Sequence, residues 1–171
     1  MRALNRLTIL ALVVLLVVPV VRLSAQAARD PLIGTWHLNV ARSTYPGPPP
    51  KSQVRTFDYT IDGLILVAYE TVNAQGTKSF AHWYLSVDGK EHPEFSRATG
   101  ATPTFWLAGK VIDANTKEVR DRRVDAEGRP PLVIMYTIAV SPDGQTLTMT
   151  AKSTNAEGKP TVTVAVYDKQ F

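Results

Sequence analysis

From Leu32 onward, apolar and polar side chains alternate in short runs, with a turn signal every 10 to 15 residues. Alternation at period two marks a strand with one buried face, and short strands between regular turns mark a meander. The first run, Leu32-Ile33-Gly34-Thr35-Trp36-His37-Leu38, predicts a strand reaching about Val40. Pro46, Pro48, Pro49 and Pro50 follow, and prolines this dense forbid helix and sheet interior alike. Residues 41–50 are therefore expected to cross one end of the body as an extended loop. No later segment holds a 3.6-residue period, so no long helix is expected there.

The turns set the register. Asp62-Gly63 reads as a two-residue hairpin loop. Asn73-Ala74-Gln75-Gly76, Asp125-Ala126-Glu127-Gly128 and Asn155-Ala156-Glu157-Gly158 share one chemistry, Asn or Asp first and Gly last. That suits a type I turn followed by a residue at positive φ. Ser141-Pro142-Asp143-Gly144 follows the same logic, and Val87-Asp88-Gly89-Lys90 reads as another hairpin.

Counted this way, Tyr59 faces Leu66, Phe57 faces Ala68, Arg55 faces Glu70 and Leu66 faces Trp83. In the last hairpins Tyr136 faces Met149, Met149 faces Val164 and Leu147 faces Val166. One face is then apolar. The other carries Asp58, His82, Tyr84, Thr148, Thr150, Lys152, Thr161 and Thr163. In the middle, Val119, Asp121 and Arg123 fall inside with Leu132 and Ile134, and carrying the register through Ala114-Asn115 puts Trp106 inside as well. The expected fold class is all-β: one antiparallel meander β-barrel of about 8–10 strands.

The N-terminal pattern is different. Arg2 and Arg6 precede an apolar run from Leu7 to Val21, and Ala25-Gln26-Ala27 is a small-x-small site. This is the layout of a secretory signal peptide. Its helix is expected to precede the barrel, dividing the chain into a signal peptide at 1–27 and a single domain at 28–171. The apolar run is shorter than the ~20 residues of a membrane span, so contact with a membrane is expected only through an uncleaved signal.

Charge then loses its weight. The chain has 19 Lys+Arg against 15 Asp+Glu, but Arg2, Arg6 and Arg22 leave with the signal, so the domain holds 16 against 15. Such a balance gives no argument for a nucleic-acid partner. There is no cysteine, which excludes disulfides, thiol catalysis and a lipidated cysteine, and leaves stability to the core.

Gly34-Thr35-Trp36 on the first strand, followed by a meander, resembles the lipocalin-like calycins. Gly34–Ser43, Tyr45–Pro50, Ser141–Thr148, Thr154–Pro160 and Val166–Gln170 further resemble a family of small exported bacterial proteins with lipocalin-like barrels and no assigned activity. The resemblance implies that Trp36 plugs the closed end of the barrel, with Gly34 beside it and Lys169 of the last strand over it. It also implies departures. Tyr45–Pro50 stands where fatty-acid-binding proteins insert a helix-turn-helix lid, and no C-terminal helix of the classical lipocalin kind precedes Phe171.

Candidate chemistry is sparse. His37 and His82 fall on wet faces, and no spacing brings them together with His92, so no metal site is expected. Nucleophile-elbow, zincin and P-loop patterns are absent, and no cofactor is expected. Glu70 and Asp121 are the inward acids, each with an inward arginine near its level, Arg55 and Arg123. Ion pairing explains them better than catalysis.

The inward aromatic residues either fill the core or line a cavity. On the second reading Arg55, Tyr59, Trp83, Trp106, Arg123 and Tyr136 form a ligand-binding set. The expected function is an exported, periplasmic or extracellular, non-enzymatic binding protein. It would act as a monomer and hold a small hydrophobic or amphipathic molecule such as a lipid. A filled barrel serving as a cell-envelope interaction module is the alternative, and a barrel cyclase or isomerase a third class.

Overall fold

The computed structural model describes residues 30–94, 105–124, 131–155 and 157–170. Ten strands follow one another: β1 (Gly34–Leu38), β2 (Ser52–Tyr59), β3 (Ile65–Val72), β4 (Lys78–Leu85), β5 (His92–Glu94), β6 (Phe105–Val111), β7 (Thr116–Arg123), β8 (Leu132–Val140), β9 (Thr146–Thr154) and β10 (Pro160–Lys169). The one helical element among the described residues is a 3-10 turn at Val40–Arg42, capped by the Asn39 side chain. All strand pairings are antiparallel, and the sheet runs β4-β3-β2-β1-β10-β9-β8-β7-β6-β5. The first strand therefore bonds to both its successor and the last strand. The sheet curls into a nearly closed barrel, the all-β fold expected from the alternation.

The seam lies between β4 and β6. The hairpin expected at Val87–Lys90 does not form, because β4 and β5 stand at opposite ends of the sheet. The chain instead crosses the seam there. Gly89 N–H donates to Gly109 O at 2.8 Å, and Asp88 bridges to Lys110. A Cβ on Gly109 would lie 2.4 Å from Ser86 O, so only glycine allows this close approach. Further along, the Glu94 carboxylate accepts the Tyr84 N–H at 3.4 Å.

Four registers, β2 with β3, β3 with β4, β6 with β7 and β9 with β10, differ by one residue from the sequence expectation. Tyr59 pairs with Ile65, Phe57 with Val67 and Arg55 with Tyr69, so Ile65, Val67 and Tyr69 of β3 share the inner face with Phe57 and Arg55. Glu70 is exposed on the outer face and is not the partner of Arg55. In β10, Met149 pairs with Ala165 and Leu147 with Tyr167, so Thr161 and Thr163 turn inward while Val162 and Val164 turn out.

The cause is the turn. Asn73 N–H bonds Thr77 O and Gly76 N–H bonds Asn73 O, at 3.0 Å each, and Gly76 has φ +94°. Thr60–Leu64 and Asn155–Lys159 repeat this pair of bonds. The first residue stays in the ladder, so the loop is three residues long with a bulge at glycine. One residue gained by the ladder, as at Asn73 and Asn155, or lost from it, as at Ile61, exchanges the two faces. At Ser141–Gly144 the observed register, Val140 opposite Leu147, is shifted by two, which preserves the faces.

Val166 is buried although it points outward, because the strap after β1 lies over it. Asn39 N–H and Thr44 N–H bond to Val166 O and Val164 O, and Ser43 Oγ accepts from Val166 N–H. That cover explains why β10 reads as apolar on both faces.

One end is sealed. Trp36 is fully buried, and its Nε1–H donates to Leu32 O at 2.9 Å. The Lys169 ammonium sits 4.8 Å from the Trp36 ring centroid, in cation–π range, and donates to Pro31 O at 3.3 Å. Gly34 has φ +139°, and a Cβ there would lie 3.1 Å from Lys169 Cε, so glycine makes room for the lysine to cross.

Beneath this plug Asp30 and Lys117 form an ion pair at 2.6 Å, with side chains 13% and 5% exposed. Asp30 also accepts from Leu32 N–H and from the Tyr59 hydroxyl, both at 3.0 Å. Burial pushes the Asp30 carboxyl up. Lys117 and these two donors outweigh it and hold the group below its ordinary value.

Candidate functional site

Above the plug the barrel is hollow. A cavity of about 840 Å³ is bounded by inner-face side chains of β2, β3, β4, β6, β7, β8 and β9. Its lower tiers are apolar: Phe57, Val67, Leu85, Leu107, Val119, Ile138 and Met149 are all buried. Its rim includes Ser79, Leu132 and Arg123, which are exposed, so the cavity opens to solvent opposite the plug.

The polar tier is built around Arg55. Strand alternation places its side chain inward, two residues above Phe57. Its Nε–H is shared between Gln53 Oε1 and the Tyr167 hydroxyl oxygen, at 3.0 Å each. The Tyr167 hydroxyl donates to Gln53 Oε1 at 2.5 Å, and Gln53 Nε2 donates to Thr71 Oγ1 at 2.6 Å. The guanidinium carbon lies 5.2 Å from the Tyr69 ring centroid and 5.8 Å from that of Tyr167. Three strands thus fix one cation. No carboxylate among the described residues lies within ion-pair distance of it, and an arginine keeps its charge at any ordinary pH.

On the facing wall Asp121 and Arg123 pair. Asp121 Oδ2 accepts from Arg123 Nε and Nη2, at 3.0 and 2.7 Å. Asp121 is 3% exposed, and its Oδ1 has no hydrogen-bond partner among the described residues. Tyr136, on β8, lines the same cavity. Burial pushes its hydroxyl up, the Asp121 charge adds to this, and Arg123 and Arg55 act against it. The hydroxyl therefore stays protonated at neutral pH, able to donate or accept. Tyr45, in the strap beside Tyr167, is pushed up to about 12, mainly by burial.

Of the residues expected to bind ligand, Arg55, Trp83, Arg123 and Tyr136 line the cavity. Tyr59 does not: it is 49% exposed and its hydroxyl serves Asp30 at the closed end. Trp106 does not either. It pairs with Arg122 rather than Arg123, on the outer face, where the Arg122 guanidinium lies 4.3 Å from its ring centroid. The loop after β6 holds three residues, since Ile112 N–H bonds Thr116 O, and that count exchanges the faces of β6.

Gln53, Tyr69 and Tyr167 are part of the site but were not expected there. Both tyrosines fall on strands whose register a two- or four-residue loop count reverses. Counting the glycine-terminated turns as three residues brings both rings inside. The edge-on contact of Tyr69 with Trp83, 5.3 Å between centroids, follows from the same correction.

A ten-strand antiparallel meander with β1 bonded to β10, plugged at one end by tryptophan and hollow above it, has the lipocalin-like barrel fold that fatty-acid-binding proteins share. The chain is similar in structure to As-p18, an extracellular fatty acid binding protein: TM-score 0.51, 18% identity, 82% of this chain and 97% of that one. It is also similar to a variant of the fluorescent protein UnaG, with TM-score 0.50, 13% identity, and coverage of 83% and 98%. At these identities the likeness is one of fold. No protein-family model and no curated protein matches the sequence.

Proposed function

We propose that this chain is an exported, non-enzymatic binding protein that holds a small amphipathic acid inside its barrel. The observation that carries this reading is the cavity of about 840 Å³ with a fixed guanidinium in its wall that no described carboxylate neutralises. Native interiors are packed with few voids larger than a water molecule, whereas small-molecule sites occupy roughly 300–1,000 Å³ and are mostly apolar with a few polar groups. The apolar lower tiers suit a hydrocarbon body, and Arg55, with Tyr136 and Tyr69, suits an anionic end. The size of the cavity speaks against a filled barrel acting only through its surface. The inward acid Asp121 is engaged by Arg123, which speaks against its acting as a free general base.

Export is supported by the basic, apolar and small-x-small succession of residues 1–27. The binding reading is tested with 1-anilinonaphthalene-8-sulfonate. One equivalent should bind with enhanced fluorescence and be displaced by palmitate. Absence of enhancement, together with no displacement by fatty acids of any chain length, would sink the proposal.

A further inference from the structure

The cavity wall carries two unmet demands of opposite kind. Arg55 offers guanidinium donors with no carboxylate among the described residues to take them. Across the barrel, Asp121 holds an acceptor oxygen, Oδ1, without a donor among the described residues. The pair with Arg123 does not meet this demand, because both Arg123 nitrogens converge on Oδ2. The neighbouring inner positions of β7 are Val119, which has no side-chain donor, and Arg123, whose bonds go to Oδ2. Buried polar atoms without partners are rare because each forfeits its hydration, so an orphan acceptor in the wall of a ligand-sized cavity points to a donor brought by the ligand.

We infer that the ligand is an amphipathic acid whose polar end also carries a hydrogen-bond donor, an amide N–H or a hydroxyl, which Asp121 Oδ1 accepts while Arg55 takes the anion. The inference rests on the binding reading above and deepens it, since a plain fatty acid satisfies Arg55 and leaves Asp121 unmet. Arg123, half-exposed at the rim, is the movable member of the group. Its swing uncovers the Asp121 carboxylate when the ligand's polar end arrives. A site that hydrogen-bonds a donor rejects the analogue lacking it, because the buried acceptor is then left unpaired.

The test is a matched pair. N-palmitoylglycine and its ester isostere palmitoyloxyacetate have the same length and charge and differ by N–H against O. Displacement of 1-anilinonaphthalene-8-sulfonate from the full mature protein should show N-palmitoylglycine binding at least tenfold more tightly than both the ester and palmitate. Asp121→Leu should erase that preference, bringing the amide and the ester to equal affinity.

Equal affinities for amide and ester in the wild-type protein overturn the inference. If palmitate still binds in that case, the binding reading stands. Failure of every probe to bind overturns both. Retention of the amide preference in a folded Asp121→Leu protein also overturns the inference. Should that variant fail to fold, the wild-type comparison decides alone.

Discussion

Arg55 sets the polarity of the cavity because nothing in the described wall neutralises it. Its Nε is tied to Gln53 and Tyr167, leaving the outer guanidinium nitrogens for a guest. Hydrogen bonds to charged groups contribute about 1.5–3 kcal/mol. Arg55→Met should therefore weaken a bound fatty acid by roughly 10- to 100-fold and leave its methyl ester nearly unchanged, as read by dye displacement.

A second charge acts on stability. Asp30→Asn leaves the buried Lys117 without a counter-charge and should cost roughly 3 kcal/mol or more in urea unfolding at pH 7. The folded Asp30 carboxyl lies below its ordinary value. The stability it contributes is thus complete above the unfolded pKa of about 4 and is lost as pH falls through the folded value. The wild-type protein should lose stability below pH 4 more steeply than Asp30→Asn does.

These two residues differ in legibility. Alternation alone places Arg55 inside. The Asp30–Lys117 pair joins the lead-in to β7, a contact made only once the barrel closes. Lys117 shares the parity of Val119 and Asp121, which marks it as inward but says nothing of its partner.

At the scale of elements, strand existence was readable and register was not. Most observed strands fall in segments of alternating residues, because period-two burial is written locally, whereas β5 (His92–Glu94) and β6 (Phe105–Val111) carry no clean alternation. Which face goes inward depends on whether a loop holds two, three or four residues. The glycines at 63, 76 and 158 mark the positive-φ position correctly, yet the same glycine serves loops of either count.

The seam is also an element-scale feature without a local signal. Gly109 looks like a weak point in a strand, whereas its missing side chain lets Ser86 O approach. Gly109→Ala forces β4 and β6 apart where the chain bridges them. It should cost about 1–3 kcal/mol, the usual range for overpacking, and speed amide exchange at Gly89, whose N–H bonds Gly109 O. Unchanged stability and exchange would show that the seam is looser than described.

For the whole molecule, the sequence carried the class of architecture but left open whether the barrel was filled. Inward aromatic residues fit either outcome. Their packing depends on barrel radius, which strand number and stagger decide together. Ten strands leave more interior than these side chains occupy. If the N-terminal segment is a cleaved signal, terminal sequencing of protein recovered outside the cytoplasm should begin at Ala28. That places the new terminus two residues before the Asp30 anchor. A start at Met1 on membrane-bound protein would instead mark a retained anchor.

The central claim is that the hollow barrel holds a guest. Native mass spectrometry of the mature protein, purified from its own host without detergent, tests it most directly. The account predicts a bound species of one equivalent that is an amphipathic acid and is absent or much reduced in Arg55→Met. A protein that flies empty, and stays empty after incubation with fatty acids and N-acyl amino acids, would contradict it.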